Sequence, residues 1–287
     1  MAFDPFLYVA FGAGLLGGVL LRPKSRWLPR ATLASVVVLV GLLGAALDAV
    51  PAGALLLEIP IALGFALLVL GLTVGTVLAI ARVRPPPNRR PGVPHPPERF
   101  PVSAALIAAL VGGYALGHFV SVPSATAIPW ALYALLFLVG LGLELHVAGL
   151  RELWVPIAGA VVGAAVAAVL FVPLARVPIG VSVATSGAFG FYSLAGPLVA
   201  ARDGAVLGLL AFLTNFLREN LTMVLAPVVG RRLGGKGLTA MGGATAMDTT
   251  LYFVTRYGDA EAGSLAIASG LVLTIVATVL VPAALAL

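Results

Sequence analysis

LGLLAFLTNFLRENLTMVLAPVVGRRLGGK, running from Leu207 to Lys236, decides how this chain is arranged. Leu207–Val229 is long and apolar enough to cross a bilayer as a helix, which takes about 20 residues. Arg218 and Glu219 stand in its middle, where a charge costs roughly 3 kcal/mol on insertion scales and marks a substrate or proton path. At 100° per residue Asn215, Arg218, Glu219 and Thr222 share one arc roughly 100° wide. Such a stripe faces a cavity or the interior of a bundle. The stretch closes on Arg231, Arg232 and Lys236, which by the positive-inside rule belong on the cytoplasmic side.

The chain of 287 residues as a whole reads the same way: 61% are hydrophobic and 10% charged, with a mean hydropathy of +1.11. Soluble domains carry about 25% charged residues, so the chain is an all-α integral membrane protein. Apolar segments of spanning size, or nearly so, lie at Phe3–Leu21, Ala31–Ala49, Ala54–Ala81, Val102–Val120, Pro129–His146, Val155–Ala175, Leu207–Val229 and Ser264–Leu285. Pro178–Ala201 and Leu238–Val254 are apolar too, but rich in Gly, Ser and Thr. Met1-Ala2-Phe3-Asp4 lacks the positive flank of a secretory signal, so Phe3–Leu21 reads as a retained helix. Cysteine is absent, which leaves no disulfide or thiolate chemistry. The net charge of +6 comes from Arg and Lys clustered in loops, where topology explains it and nucleic acid need not.

Basic residues follow the first segment (Arg22, Lys24, Arg26, Arg30), the third (Arg82, Arg84, Arg89, Arg90, Arg99) and the fifth (Arg151); none occurs in Asp48–Gly53 or Ser121–Ile128. The first helix therefore runs inward from an outside N-terminus. Six crossings return the chain outside at Arg176. Arg231, Arg232 and Lys236 can then lie inside only if Pro178–Ala201 dips and returns on the same side. Leu238–Val254 reads as a second dip, from the cytoplasmic face, and the last helix ends outside. The expectation is eight transmembrane helices plus two re-entrant segments that line a cavity, since irregular backbone at membrane depth survives only there or inside protein.

Gly14-x-x-x-Gly18 and Leu39-Val40-Gly41-Leu42 recur 99 residues later as Gly113-x-x-x-Gly117 and Leu138-Val139-Gly140-Leu141. Residues 1–82 and 102–177 thus read as two three-helix units; an odd number of spans makes the second inverted. Residues 83–101, with eight prolines between Pro85 and Pro101, form a stiff cytoplasmic linker. Residues 178–287 form the transport core, in which Ser186-Gly187 aligns with Gly242-Gly243 and Tyr192 with Asp248. Inverted repeats with paired Gly-interrupted segments point to a secondary transporter's binding site.

Asp248 is the second intramembrane carboxylate, flanked by Thr245 and Thr249 in a Gly- and Ala-rich tip. Ser186, Tyr192 and Ser193 give the opposite tip hydroxyls without charge. No His/Asp cluster has metal-ligand spacing, and no nucleotide or hydrolase motif occurs, so no cofactor or metal is called for. The intramembrane aspartyl protease pattern is also missing: Tyr257-Gly258-Asp259 lies outside the apolar core and lacks Gly-x-Gly-Asp.

Gly187-Ala188-Phe189-Gly190-Phe191-Tyr192-Ser193-Leu194-Ala195-Gly196, Arg218-Glu219 and Gly243-Ala244-Thr245-Ala246-Met247-Asp248 resemble the LysO lysine exporters. The resemblance implies export of lysine and its analogues across the cytoplasmic membrane, eight spans, both termini outside, and two functional intramembrane acids at Glu219 and Asp248. Phe191, Ala195, Ala246 and Tyr252 depart from that family's usual Trp, Ser, Ser and Pro. The mechanism that fits is exchange of lysine for a proton, with Glu219 and Asp248 holding either one. Asn215, Arg218, Ser186, Tyr192, Ser193, Thr245 and Thr249 would bind substrate. Na⁺ is the alternative coupling ion, and another small cation or metabolite the alternative cargo.

Overall fold

The computed structural model describes residues 5–21, 27–48, 50, 52–83, 102–142, 152–247, 249–259 and 261–287. Asp248, the linker from Arg84 to Pro101 and the basic loop at Arg22, Lys24 and Arg26 lie outside them. Six long helices come first: α1 (Pro5–Leu21), α2 (Leu28–Ala45), α3 (Ala52–Val83), α4 (Val102–Phe119), α5 (Ser124–Gly142) and α6 (Trp154–Ala175). The two short helices α7 (Ile179–Ser186) and α8 (Tyr192–Asp203) follow, then α9 (Ala205–Gly242), a 3₁₀ turn (Gly243–Met247), α10 (Leu251–Tyr257) and α11 (Ala262–Leu285). Among the described residues four helical stretches are long and apolar enough to cross a membrane: Leu55–Ile80, Trp154–Ala175, Ala205–Met247 and Ala262–Leu285. Shorter apolar helices occur in α1, α2, α4 and α5. Leu56, Leu57, Ile61 and Leu67 of α3 stay exposed, as apolar side chains do when lipid is the solvent.

Small residues set how the first six helices meet. A methyl group on Gly14 of α1 would strike the Phe137 carbonyl of α5, and one on Gly18 would lie 2.7 Å from the Leu141 oxygen. Gly113 of α4 sits against the Gly41 carbonyl of α2 in the same way, and Gly117 against Ala45. Backbones that close are what small-xxx-small spacing permits. In both pairs the residue numbers climb together, so α1 runs parallel to α5, and α2 parallel to α4. Each triplet therefore lends its first or second helix to the other. The third helices pair in the opposite sense: Gly163 abuts Thr73, Gly159 abuts Val77, and Phe65 stacks on Phe171 with centroids 3.6 Å apart.

Of the remaining elements, α7 with α8 and the end of α9 with α10 form two hairpins beside the first arm of α9, and α11 closes the described chain. Hairpin one descends as α7, which runs back along α6 with the Ser182 hydroxyl donating to the Ala168 carbonyl (2.8 Å). It turns at Gly187–Gly190 and returns as α8, whose Ala200 touches Gly208 of α9 across the one-residue joint Gly204. Gly204 has φ 96°, a conformation that glycine adopts without strain. Hairpin two starts inside α9 itself. Gly234 (φ 63°, ψ −154°) breaks the helix, and the arm after it runs back into the molecule as far as Gly242. α10 then returns the chain, so that Tyr257 and Gly258 lie against Gly230 and Gly235, beside the break where the hairpin began.

The sequence pattern places the start of this second segment at Leu238, and the chain turns four residues earlier, at Gly234. Reorienting the chain there strips Gly235 of its helical acceptor, and its N–H donates to the Asp259 carboxylate instead (3.3 Å). An offset of 56 carries Ile179–Ser186 onto residues 235–242, so the two descending legs are the same length.

Candidate functional site

The two tips meet halfway along α9. Its arm from Ala205 to the break at Gly234 is centred on Glu219, which lies about 20 Å from either end at 1.5 Å per residue. Glu219 is 3% exposed, and Asn215, Arg218 and Thr222 are 1% exposed each. The Thr222 hydroxyl donates to the Arg218 carbonyl of its own helix (2.8 Å).

Asn215 holds the first tip. Its Oδ1 accepts the Gly190 N–H (2.9 Å), and its Nδ2 donates to the carbonyls of Thr185 (2.9 Å) and Ala211 (3.0 Å). One neutral amide thus satisfies a donor and an acceptor that a buried turn would otherwise leave without partners. Arg218, one turn further on, holds the second tip. Its Nε donates to Met241 O (3.2 Å) and its Nη2 to Ala240 O (3.3 Å), both in the last turn before Gly243. Nη1 has no partner among the described residues.

The tips are also bonded to each other. Phe189 adopts φ 52°, a left-handed conformation that costs an L-residue roughly 1–2 kcal/mol. This conformation aims its carbonyl at the Ala244 N–H, 2.8 Å away. Gly243 is required from the other side: its φ is 64°, and a Cβ there would meet the Phe189 carbonyl and lie 3.0 Å from Arg218 Nη2.

Electrostatically the junction is negative apart from one guanidinium. α7 and the second arm of α9 both end here, and each helix C-terminus carries about half a negative charge. Arg218 is the cation that reaches one of these ends, and Glu219, the next residue along α9, is buried beside it in sequence.

A lysine exporter LysO family profile matches residues 107–285, from within α4 to the end of α11. The chain belongs to this family. Over 190 residues it is 31% identical to the lysine exporter LysO of Escherichia coli (strain K12), a stretch covering 62% of each chain and so under two thirds of that protein. Over 175 residues it is 27% identical to a Haemophilus influenzae protein provisionally named a lysine exporter, covering 59% of this chain and 89% of that one. No solved structure matches the chain. The family is one of transporters, not enzymes, and this member is a multi-pass membrane protein.

Of the residues singled out in the sequence, Asn215 and Arg218 reach the two tips, and Glu219 is buried next to Arg218 on the same helix. Ser186 and Thr245 lie one on each tip, with hydroxyls donating to their own backbones at Ser182 O (2.9 Å) and Gly242 O (2.9 Å). Ser193 is buried in the first turn of α8. Tyr192 packs edge-on against Phe212 and Phe216, with centroids 5.6 and 6.0 Å away. Thr249 is half-buried beside Asp248, which falls outside the described residues.

Three participants carried no signal in the sequence: the Thr185 and Phe189 carbonyls, and Thr250, whose N–H and hydroxyl both donate to Thr245 O (3.1 and 3.0 Å). Asp259 anchors the start of the second hairpin by accepting the Gly235 N–H.

Proposed function

We propose that the protein exports L-lysine and its analogues across the cytoplasmic membrane by exchange for protons. One observation carries this reading: two helix C-termini converge at mid-span on an α9 arm whose central residue is a buried glutamate. Broken half-helices at the midplane are how secondary transporters build ion and substrate sites. The relatives' lysine names supply the cargo.

In this reading Glu219 and Asp248 hold either a proton or the lysine ammonium. Expelling a cation against an interior-negative potential costs about 2.3 kcal/mol per 100 mV, and one inward proton cancels that cost. Asn215 and Arg218 set the positions of the two tips. Ser193 and the Arg218 Nη1 amino group supply donors for the α-carboxylate, while Ser186, Tyr192, Thr245 and Thr249 line the path.

The proposed topology has eight crossings, both termini outside and two hairpins dipping from opposite faces. The parallel α1–α5 and α2–α4 pairs and the antiparallel α3–α6 pair support two inverted triplets, 1–82 and 102–177, joined by the linker 83–101. Residues 178–287 form the transport core. The equal hairpin legs support a second, inverted repeat within it.

The test is lysine exchange in proteoliposomes under an imposed pH gradient, with wild type, Glu219→Gln and Asp248→Asn compared. Proton-driven exchange should vanish in both variants; its survival in both overturns the mechanism. Phe191 and Ala195, departures from the family pattern on hairpin one, favour one second reading, in which another small cation is carried on the same scaffold. Competition by arginine and ornithine in the same vesicles separates the two cargoes.

A further inference from the structure

A helix broken at membrane depth leaves four terminal carbonyls without intrahelical donors. The second arm of α9 ends this way, and each of its four has a partner. Thr239 O accepts the Gly243 N–H, and Gly242 O accepts the Thr245 hydroxyl at 2.9 Å. Ala240 O and Met241 O are both taken by Arg218, at 3.3 and 3.2 Å. In transporters with discontinuous helices, carbonyls in this position coordinate the coupling Na⁺.

We propose that the Arg218 guanidinium is a resident cation that fills the carbonyl end of the broken helix, where a coupling alkali ion would otherwise bind, so that the carrier runs without Na⁺. The proposal rests on the reading of this junction as the transport site. A guanidinium stays charged at any physiological pH, so it neither carries the proton nor dissociates as a free ion does. It also occupies both acceptors: Nε and Nη2 take the Met241 and Ala240 oxygens at once. The first tip provides the internal contrast. Its Thr185 carbonyl faces the neutral amide of Asn215 at the matching end of α7, so only one of the two helix ends has been given a fixed charge.

Removing the side chain should convert the filled position into a vacant site for a small monovalent cation. The experiment measures thermal unfolding of purified wild type and Arg218→Ala in detergent, with chloride salts of Na⁺, guanidinium or choline at low millimolar concentration. Wild type should show no rise with Na⁺ or guanidinium over choline. Arg218→Ala should show a saturable rise of about 2–4 °C with guanidinium or Na⁺, the shift expected from a ligand at roughly ten times its Kd. A saturable Na⁺ response in wild type, or no cation-specific response in the variant, overturns the proposal.

Should Arg218→Ala yield no folded protein, wild type decides alone. Lysine exchange with Na⁺ replaced by choline on both sides should keep its rate, and a fall to background overturns the proposal. The unfolding readout needs no lysine. Absent lysine exchange beside the expected cation pattern would sink the export reading while this one stands.

Discussion

The first six helices and the last five residue-for-residue solve opposite problems. In α1–α6 contact is made by subtraction: Gly14, Gly113 and Gly163 remove side chains so that neighbouring backbones touch. In α7–α11 it is made by addition: Asn215, Arg218 and Asp259 bring polar atoms to backbone groups that broken helices have stripped of partners. An apolar seam of unbroken helices is rigid because nothing in it needs another partner. A junction of broken helices depends on a few side chains and offers each an exchangeable role. With the proposed function, the comparison puts stability in the first region and transport in the second, and it can be broken from either side.

The largest effect is expected at Glu219. Glu219→Gln keeps the volume and removes the charge, and should lower proton-driven exchange at least about 100-fold, the scale of losing a positioned proton carrier. Its yield and unfolding temperature in detergent should stay near wild type; a collapse in stability instead would make Glu219 a structural residue. Next comes the scaffold. Gly113→Leu forces a side chain into the Gly41 carbonyl and should cost more than about 3 kcal/mol, seen as loss of monodisperse protein after extraction. A variant as stable as wild type would mean that α2 and α4 do not touch there.

Asn215→Leu is expected to fall between the two regions in character. It leaves the Gly190 N–H and the Thr185 carbonyl buried without their partner, costing about 2–3 kcal/mol. Hydrogen exchange should rise at residues 187–191 more than in α1–α6, and uniform change across both regions would contradict a local tie. The smallest effect is predicted at Lys236, whose ammonium pairs with Glu152. Both groups retain solvent exposure, so Lys236→Gln should change stability by less than about 1 kcal/mol and leave exchange intact.

Much of this contrast could be read from residue types. Runs of apolar residues locate α1–α6 and α11, because hydrocarbon thickness sets how many are needed. Gly187, Gly190 and Gly243 locate both tips, because few other residues turn a chain so tightly. What could not be read are the backbone partners. Every residue has a carbonyl, so nothing in the names Ala240 and Met241 announces that Arg218 will take theirs. The Gly234 break was hidden for another reason: Arg231, Arg232 and Lys236 surround it and look like a loop, whereas the chain stays helical on both sides. The pairing of α1 with α5 also lay beyond reach, since a glycine stripe says that a helix is approached closely and never by which one.

That pairing has a consequence for how the protein is made. α2 meets α4 through Gly41 and Gly44, and α1 meets α5 through Gly14 and Gly18. Roughly a hundred residues separate the end of α2 from the end of α5, or about 5–20 s of synthesis at ordinary translation rates. During that interval α1 and α2 exist without the helices that close their glycine seams. The newborn half must wait, unlatched, for its second half to arrive.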